Sequence, residues 1–319
     1  MEKYCFGVDV GGTTVKIGLF QDDLQMVSKW EIPTRTEENG RYIIPDIADS
    51  IKQEMKDKQL TPDDILGVGI GIPGPVLEES VVNNCVNLGW GVVNVKNELS
   101  SQLYYLPVLA GNDANVAALG EAVAGAGEGR RNVVMLTLGT GLGGGIIIDG
   151  NILAGAHGAA GEFGHMPLFD KAVDYCGCGK RGCTEQIAGA KGMISYTRHL
   201  IAGGESRSGL SFLREFSARD IFDFAKDGDE LANTVVNEMV ETLGKALSIL
   251  AVSFDPEVFI IGGGMSRAGE WLLDKIRASF EEKAFHAVKH TGIIGATLGN
   301  DAGMTGAAAM IIKRTSENE

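Results

Sequence analysis

The 319-residue sequence has no run of about 18 apolar residues, the length a helix needs to cross a bilayer, which argues against a membrane protein. It also lacks a basic stripe interleaved with aromatics. Its 28 lysines and arginines face 42 acids, and the net charge of −14 repels a phosphate backbone, which argues against nucleic acid as a partner. The layout of a secretion signal is missing too: Met1 to Phe6 runs almost at once into an apolar β-type segment, which predicts a cytoplasmic chain. There is no low-complexity linker, so any domains are expected to join through hinges. Cysteine is scarce. The odd count of five does not suit a disulfide framework, and three of them fall at Cys176, Cys178 and Cys183.

What remains is a globular composition, 44% hydrophobic and 22% charged, in a chain long enough for two domains with their own cores. An anionic substrate would have to be held locally, by backbone N–H groups, a lysine or a divalent cation, against an unfavourable overall field. A magnesium-bound nucleotide meets that requirement.

Glycine punctuation and β-branched residues predict strands at Phe6 to Val10, Val15 to Phe20 and Met26 to Pro33. Ile43, Ile44, Ile47, Ile51 and Met55 recur at helical spacing between Tyr42 and Lys58, and a buried strand follows from Ile65 to Ile72 before Pro73-Gly74-Pro75. A second strand-turn-strand unit spans Asn132 to Asp149 and echoes the first: with Asp9 laid on Thr137, Gly11 falls on Gly139. One repeat in each half predicts two similar α/β domains facing a cleft. A helix is expected from Leu231 to Phe254, a short strand from Val258 to Ile261, and a helix from Ala268 to Lys283.

The segment Asp9-Val10-Gly11-Gly12-Thr13-Thr14-Val15-Lys16 combines glycines that let N–H groups approach an anion, hydroxyl donors, and a carboxylate near a lysine. It reads as a phosphate-and-magnesium turn or, equally, as a hairpin with a solvated Asp and Lys. The second turn, Gly139-Thr140-Gly141-Leu142-Gly143-Gly144, has G-x-G-x-x-G spacing, but a strand follows it where a dinucleotide fingerprint needs a helix. Two such turns would instead clamp a nucleotide polyphosphate, which makes kinase or ATPase chemistry the leading class.

His165, Cys176, Cys178 and Cys183 offer one imidazole and three thiolates, the set for a closed, structural zinc site. A redox C-x-C pair or free buried thiols are the alternatives. Asn112-Asp113 lies between an apolar segment and a helix-like stretch from Val116 to Ala124; it reads as a helix cap or as a ligand group at the carboxyl end of a strand. Glu162 and Glu185 flank the cysteine cluster, and acids and amides there suit the bridging of neighbouring hydroxyls in a polyol.

Five blocks resemble the ROK family (repressor, open reading frame, kinase): Asp9-Val10-Gly11-Gly12-Thr13; Asn112-Asp113-Ala114-Asn115; Leu138-Gly139-Thr140-Gly141; Gly161-Glu162-Phe163-Gly164-His165 with Cys176-Gly177-Cys178-Gly179 and Gly182-Cys183-Thr184-Glu185; and Leu298-Gly299-Asn300-Asp301-Ala302-Gly303. The resemblance implies an α/β, two-domain, actin-like (RNase-H-like) kinase fold with an interdomain cleft. It implies a small domain of residues 1–111 that takes back a C-terminal helix at about 305–319, and a large domain of residues 112–304 carrying the zinc. By the same resemblance Asp113 is the general base toward a hexose hydroxyl, and Asn112, Glu162, His165 and Glu185, with Asn87 and Gly74, contact the sugar. Asp9, Gly11, Gly12, Thr13, Thr14, Lys16, Gly139, Thr140 and Gly141 face the phosphates of ATP and Mg2+, and Gly262, Gly263 and Gly264 lie along the adenosine. The cofactors implied are ATP, Mg2+ and structural Zn2+, in a homodimer or homotetramer. The run from Cys176 to Gln186 favours glucose among the hexoses and N-acetylhexosamines that family kinases use. Family repressors carry a DNA-binding segment before the first strand, for which a strand beginning by Tyr4 leaves no room. A catalytically silent sugar sensor is the second reading.

Overall fold

Among the described residues the chain forms thirteen strands, most of them rich in β-branched residues. In order they are β1 (Tyr4–Val10), β2 (Thr14–Gln21), β3 (Met26–Pro33), β4 (Ile65–Ile72), β5 (Val76–Leu77), β6 (Val81–Cys85), β7 (Trp90–Asn94), β8 (Val108–Asn112), β9 (Val133–Leu138), β10 (Leu142–Ile148), β11 (Asn151–Ile152), β12 (Val258–Gly262) and β13 (Gly292–Gly295). The structure is a computed structural model and describes residues 2–204 and 208–316. Residues 317–319 of the helix expected at about 305–319 lie outside the described residues; the helix runs Ala302–Ser316.

Two five-stranded sheets share one plan. Their orders are β3-β2-β1-β4-β8 and β11-β10-β9-β12-β13. In each, the first strand of the repeat neighbours its hairpin partner on one side and a parallel strand on the other: β1 pairs antiparallel with β2 and parallel with β4, and β9 pairs parallel with β12. A small third sheet has the order β5-β6-β7.

The chain divides into two compact units. One comprises Met1–Arg131, Gly145–Gly161 and Thr297–Glu319; the other comprises Asn132–Gly144 and Glu162–Ala296. In the first, the Ile43–Asp57 helix buries Ile43, Ile44, Ile47, Ile51 and Met55, the residues whose spacing announced it. They join Phe6, Val8, Ile17, Val68 and Ile70 in one core. Each such side chain contributes about 1.5–3 kcal/mol when fully buried.

The Ala302–Ser316 helix lies backbone to backbone on the other face of β1 and β4. A Cβ at Gly7 would stand 2.0 Å from the Met304 carbonyl oxygen, and one at Gly69 1.8 Å from that of Ala307. Only glycine permits this approach. The same unit is latched by Glu121, fully buried on the Asp113–Ala124 helix. Its carboxylate accepts the N–H groups of Ala126 (2.9 Å), Thr297 (3.1 Å) and Leu298 (2.8 Å), so a buried charge is fully hydrogen-bonded.

In the second unit the Glu230–Phe254 helix packs against the Glu270–Lys283 helix. That second helix starts later than the expected Ala268, because a 3-10 turn fills Gly264–Ala268 and Gly269 breaks the chain direction at φ 77°. Among the described residues no helix is long and apolar enough to cross a membrane.

Candidate functional site

The candidate residues fall in both units. In the first unit, Asp9 stands on β1 opposite Lys16 on β2. The hairpin between them is fixed from outside: the Gly11 N–H donates to Thr14 O (3.0 Å), the Thr34 hydroxyl to Gly11 O (2.7 Å), and the Thr34 N–H to Thr13 O (2.9 Å). Gly12 and Thr13 are exposed, and a Cβ at Gly12 would meet nothing within 4 Å. The turn is therefore a rigid frame with a bare rim, as a backbone anion cradle requires. The carboxylate of Asp9 lies against Gly303 in the first turn of the Ala302–Ser316 helix, where a Cβ would come within 2.6 Å of its Cγ. Burial pushes the Asp9 carboxyl up to about 6; Lys16 pulls against this, and Asp113 adds to it.

Asn112 closes β8 and caps the helix that follows. Its Oδ1 accepts the N–H groups of Ala114 and Asn115, both at 3.1 Å, and its Nδ2 donates to Gly74 O at 3.1 Å. The side chain thus serves as the helix cap and also ties β8 to the Gly74 turn. Asp113 follows at the carboxyl end of the strand, partly buried, with Oδ1 accepting the Ala114 N–H at 2.8 Å. Burial raises its pKa, and the hydrogen bonds from Ala114 and Asn112 oppose the rise. Two carboxyls in one unit, each destabilised as an anion by burial, with Asp113 adding to the burden on Asp9, form a perturbed pair of the kind found at functional sites. Asn87 stands exposed on the Val86–Leu88 turn of the same unit.

In the second unit the Gly139 N–H donates to Gly141 O at 3.0 Å. Helix starts brace the turn from behind: the Ala190 N–H donates to Gly139 O (2.9 Å) and the Lys191 N–H to Thr140 O (3.2 Å). Thr140 is exposed. Gly263, at φ 87°, packs so closely on the end of β9 that a Cβ there would lie 2.4 Å from Leu138 O, and beside Gly264 the space is open. Gly139, Thr140 and Gly141 are thus brought next to Gly262, Gly263 and Gly264.

The cysteine cluster assembles in this unit as well. One ligand atom from each of His165, Cys176, Cys178 and Cys183 lies within 4.8 Å of every other. Cys176 Sγ is 3.5 Å from His165 Nδ1, and Cys178 Sγ is 3.5 Å from Cys183 Sγ. A tetrahedron with metal–sulfur bonds of about 2.3 Å has edges of roughly 3.5–3.8 Å, so these four side chains fit a zinc ion. The supporting loop is cross-braced. Pro167 bridges Cys183, the Cys176 N–H donates to Lys180 O (2.7 Å), and Gln186 Oε1 accepts from the N–H groups of Gly182 (2.9 Å) and Cys183 (3.1 Å). The Lys180 N–H, first among several groups, lowers the Cys178 pKa toward the thiolate a metal needs.

Glu185 joins the cluster to the second turn. Its Oε1 accepts from the Cys176 thiol at 2.8 Å and lies 3.8 Å from His165 Nδ1, and its Oε2 is 2.7 Å from where a Cβ of Gly141 would be. Glu162 Oε2 is 3.9 Å from the opposite ring nitrogen of His165. One face of the imidazole is thus turned to the sulfurs and the other to an exposed carboxylate. Two residues of the first unit escaped sequence reasoning. Glu121 looks like any helix-surface acid, and Asn115 looks like a neighbour of the cap, yet it is 2% exposed. A carboxylate within an apolar helical stretch was the available signal for the former.

The ROK family model matches residues 5–314. The chain is 38% identical over 323 residues to a glucokinase of Halalkalibacterium halodurans, covering 100% of this chain and 98% of that protein. Its structure resembles a ROK hexokinase from Thermus thermophilus (TM-score 0.83, 28% identity, all of both chains). It also resembles a ROK family glucokinase from Streptomyces griseus in complex with glucose and AMPPNP (TM-score 0.74, 34% identity, 96% and 98% of the chains). A kinase for another sugar matches too: the N-acetyl-D-glucosamine kinase of Haemophilus influenzae is 29% identical over 97% of this chain and 99% of that protein.

Proposed function

The chain belongs to the ROK family and has its sugar-kinase fold of the actin-like ATPase type; on that premise we propose that it is a cytoplasmic glucokinase, transferring the γ-phosphoryl group of ATP to the 6-hydroxyl of glucose. The observation that carries the chemistry is Asp113, held at the end of β8 with its pKa raised by burial. A desolvated, oriented carboxylate is a stronger base than a solvated one. In the proposed reaction Asp113 accepts the hydroxyl proton as the sugar oxygen bonds to the γ-phosphorus, the bond to the β-phosphate oxygen breaks, and ADP leaves with its electron pair.

Glu162, His165 and Glu185, with Asn112, Asn87 and Gly74, hydrogen-bond the remaining hydroxyls. Asp9, Lys16, the residues of both turns and Gly262, Gly263 and Gly264 hold the nucleotide. Magnesium neutralises phosphate charge when bound, and the oxygen donors of Asp9, Thr13 and Thr14 suit so hard a cation. His165, Cys176, Cys178 and Cys183 would hold a zinc ion, which would brace the loop that carries Glu162 and Glu185 in a structural role. Glucose is favoured over other sugars by the full-length similarity to glucokinase.

A panel of hexoses and N-acetylhexosamines with MgATP tests the reading: glucose is expected to give the highest kcat/KM, and a sugar modified at its second carbon that outperforms it would overturn the assignment.

A further inference from the structure

A cavity of about 330 Å³ lies wholly within the first unit. Its walls are Val76 and Leu77 of β5, Ala110 and Gly111 of β8, Met310 of the last helix, and the segment from Ile152 through Gly158. Of the candidate sugar residues only Asn112 borders it; Gly74, Asn87 and Asp113 do not.

Asn115 also lines this cavity, and its side chain is 2% exposed. Its Nδ2 donates to Ala160 O at 3.5 Å, but its Oδ1 is buried and accepts no hydrogen bond, alone in this among the described residues. Leaving a buried carbonyl oxygen unpaired costs about 1–3 kcal/mol, so a donor is expected to reach it. Glu78 and Glu79 stand at the cavity, both exposed. The charge pattern selects the occupant. The buried acceptor is a neutral amide, which suits a hydroxyl better than an ammonium group that would need a buried counter-charge. The carboxylates at the mouth accept further hydroxyls and repel a phosphate.

We propose that this cavity is a second binding site, for a neutral, hydroxyl-rich molecule the size of a monosaccharide, with Asn115 Oδ1 accepting one of its hydroxyls. The volume is within the range of small-molecule pockets, and apolar walls with few polar groups are their usual lining. An occupant bridges β5 and the 152–158 segment, which runs on through Ala160 and Gly161 to Glu162.

The full-length protein soaked with D-glucose is expected to show sugar in this cavity with a hydroxyl within hydrogen-bonding distance of Asn115 Oδ1. In solution, titration with D-glucose is expected to give two sugars per chain. Ala156→Trp, an exposed position at the cavity, should reduce this to one while the melting temperature stays close to the parent's. Asn115→Leu provides a second readout, since glucose should protect the parent against heat more than this variant. Glucose 6-phosphate should not occupy the site. Water alone in the cavity at a glucose concentration that fills another site would overturn the proposal, as would one sugar per chain in the parent or equal binding of the phosphate. Loss of turnover with intact two-site binding would instead count against the kinase assignment alone.

Discussion

In the first hairpin the residue before the turn is Asp9 and its cross-strand partner is Lys16; in the second the same positions hold Thr137 and Gly144. The strand orders around them are alike. What differs is the support. Both turns leave a bare rim, at Gly12 and at Gly139, but where the first hairpin has the charged Lys16 the second has Gly144 of β10, packed so tightly that a Cβ would reach 2.3 Å from the Phe163 ring and 2.8 Å from Met135 O. The repeat keeps its backbone while its two copies divide the labour: the first hairpin carries the Asp9–Lys16 pair, and the second stands beside the cysteine-braced loop through Glu185.

Removing the base tests that division most severely. Asp113→Asn should lower kcat by about 10²–10⁴-fold while sugar affinity stays within a few-fold, since the amide keeps the shape and loses the proton acceptor. Stopped-flow turnover and equilibrium binding check this, and normal turnover would remove Asp113 from the chemistry. On the opposite side of the comparison, Cys178→Ala should abolish zinc binding, read by elemental analysis, and raise the sugar KM about tenfold with a smaller change in kcat. Metal loss with unaltered kinetics would reduce the cluster to a passive staple.

Two alanine substitutions compare the two hairpins, one in the packed second strand of the second and one in the open turn of the first. Gly144→Ala should destabilise the protein by about 1–3 kcal/mol through overpacking, whereas Gly12→Ala should leave the urea midpoint nearly unchanged and act on the KM for ATP. Equal effects on stability would erase the distinction.

The smallest effect concerns Asp9, whose value of about 6 lies above the unfolded carboxyl near 4. The folded chain therefore holds this proton more tightly. The stability it contributes is complete below about pH 4 and is lost as pH rises through 6. Asp9→Asn should be more stable than the parent by roughly 1–2 kcal/mol at pH 8 without nucleotide or magnesium, and the gap should close toward pH 4. Denaturant melts at both values decide it, and a gap independent of pH would contradict the burial argument.

Local pattern made much of this architecture readable. Strands β1 to β4, the Ile43–Asp57 helix and the second hairpin follow from apolar periodicity and glycine punctuation, and the clustering of His165 with the three cysteines follows from spacing. The early part of the Asp113–Ala124 helix was hidden because Asn112 and Asp113 admit both a cap and a ligand reading, and the structure gives Asn112 the cap. The β5-β6-β7 sheet was not legible, since its strands are 2, 5 and 5 residues long and their pairing is set by tertiary neighbours. Asn115 belongs to the same class, since its burial is a property of the packed unit that no local pattern announces, whereas Glu121 left only the weak signal of a carboxylate in an apolar helical stretch.

The close seating of the Ala302–Ser316 helix on β1 has a consequence for biosynthesis. The Cys5 thiol meets the Ala308 carbonyl across 303 positions of chain. At ribosomal rates of about 5–20 residues per second, β1 waits on the order of 15–60 s for the helix that covers it. Throughout translation that glycine-lined apolar face has no lid of its own, so holding chaperones should engage nascent chains until the last thirty or so codons are read, and truncation there should trap an aggregation-prone product.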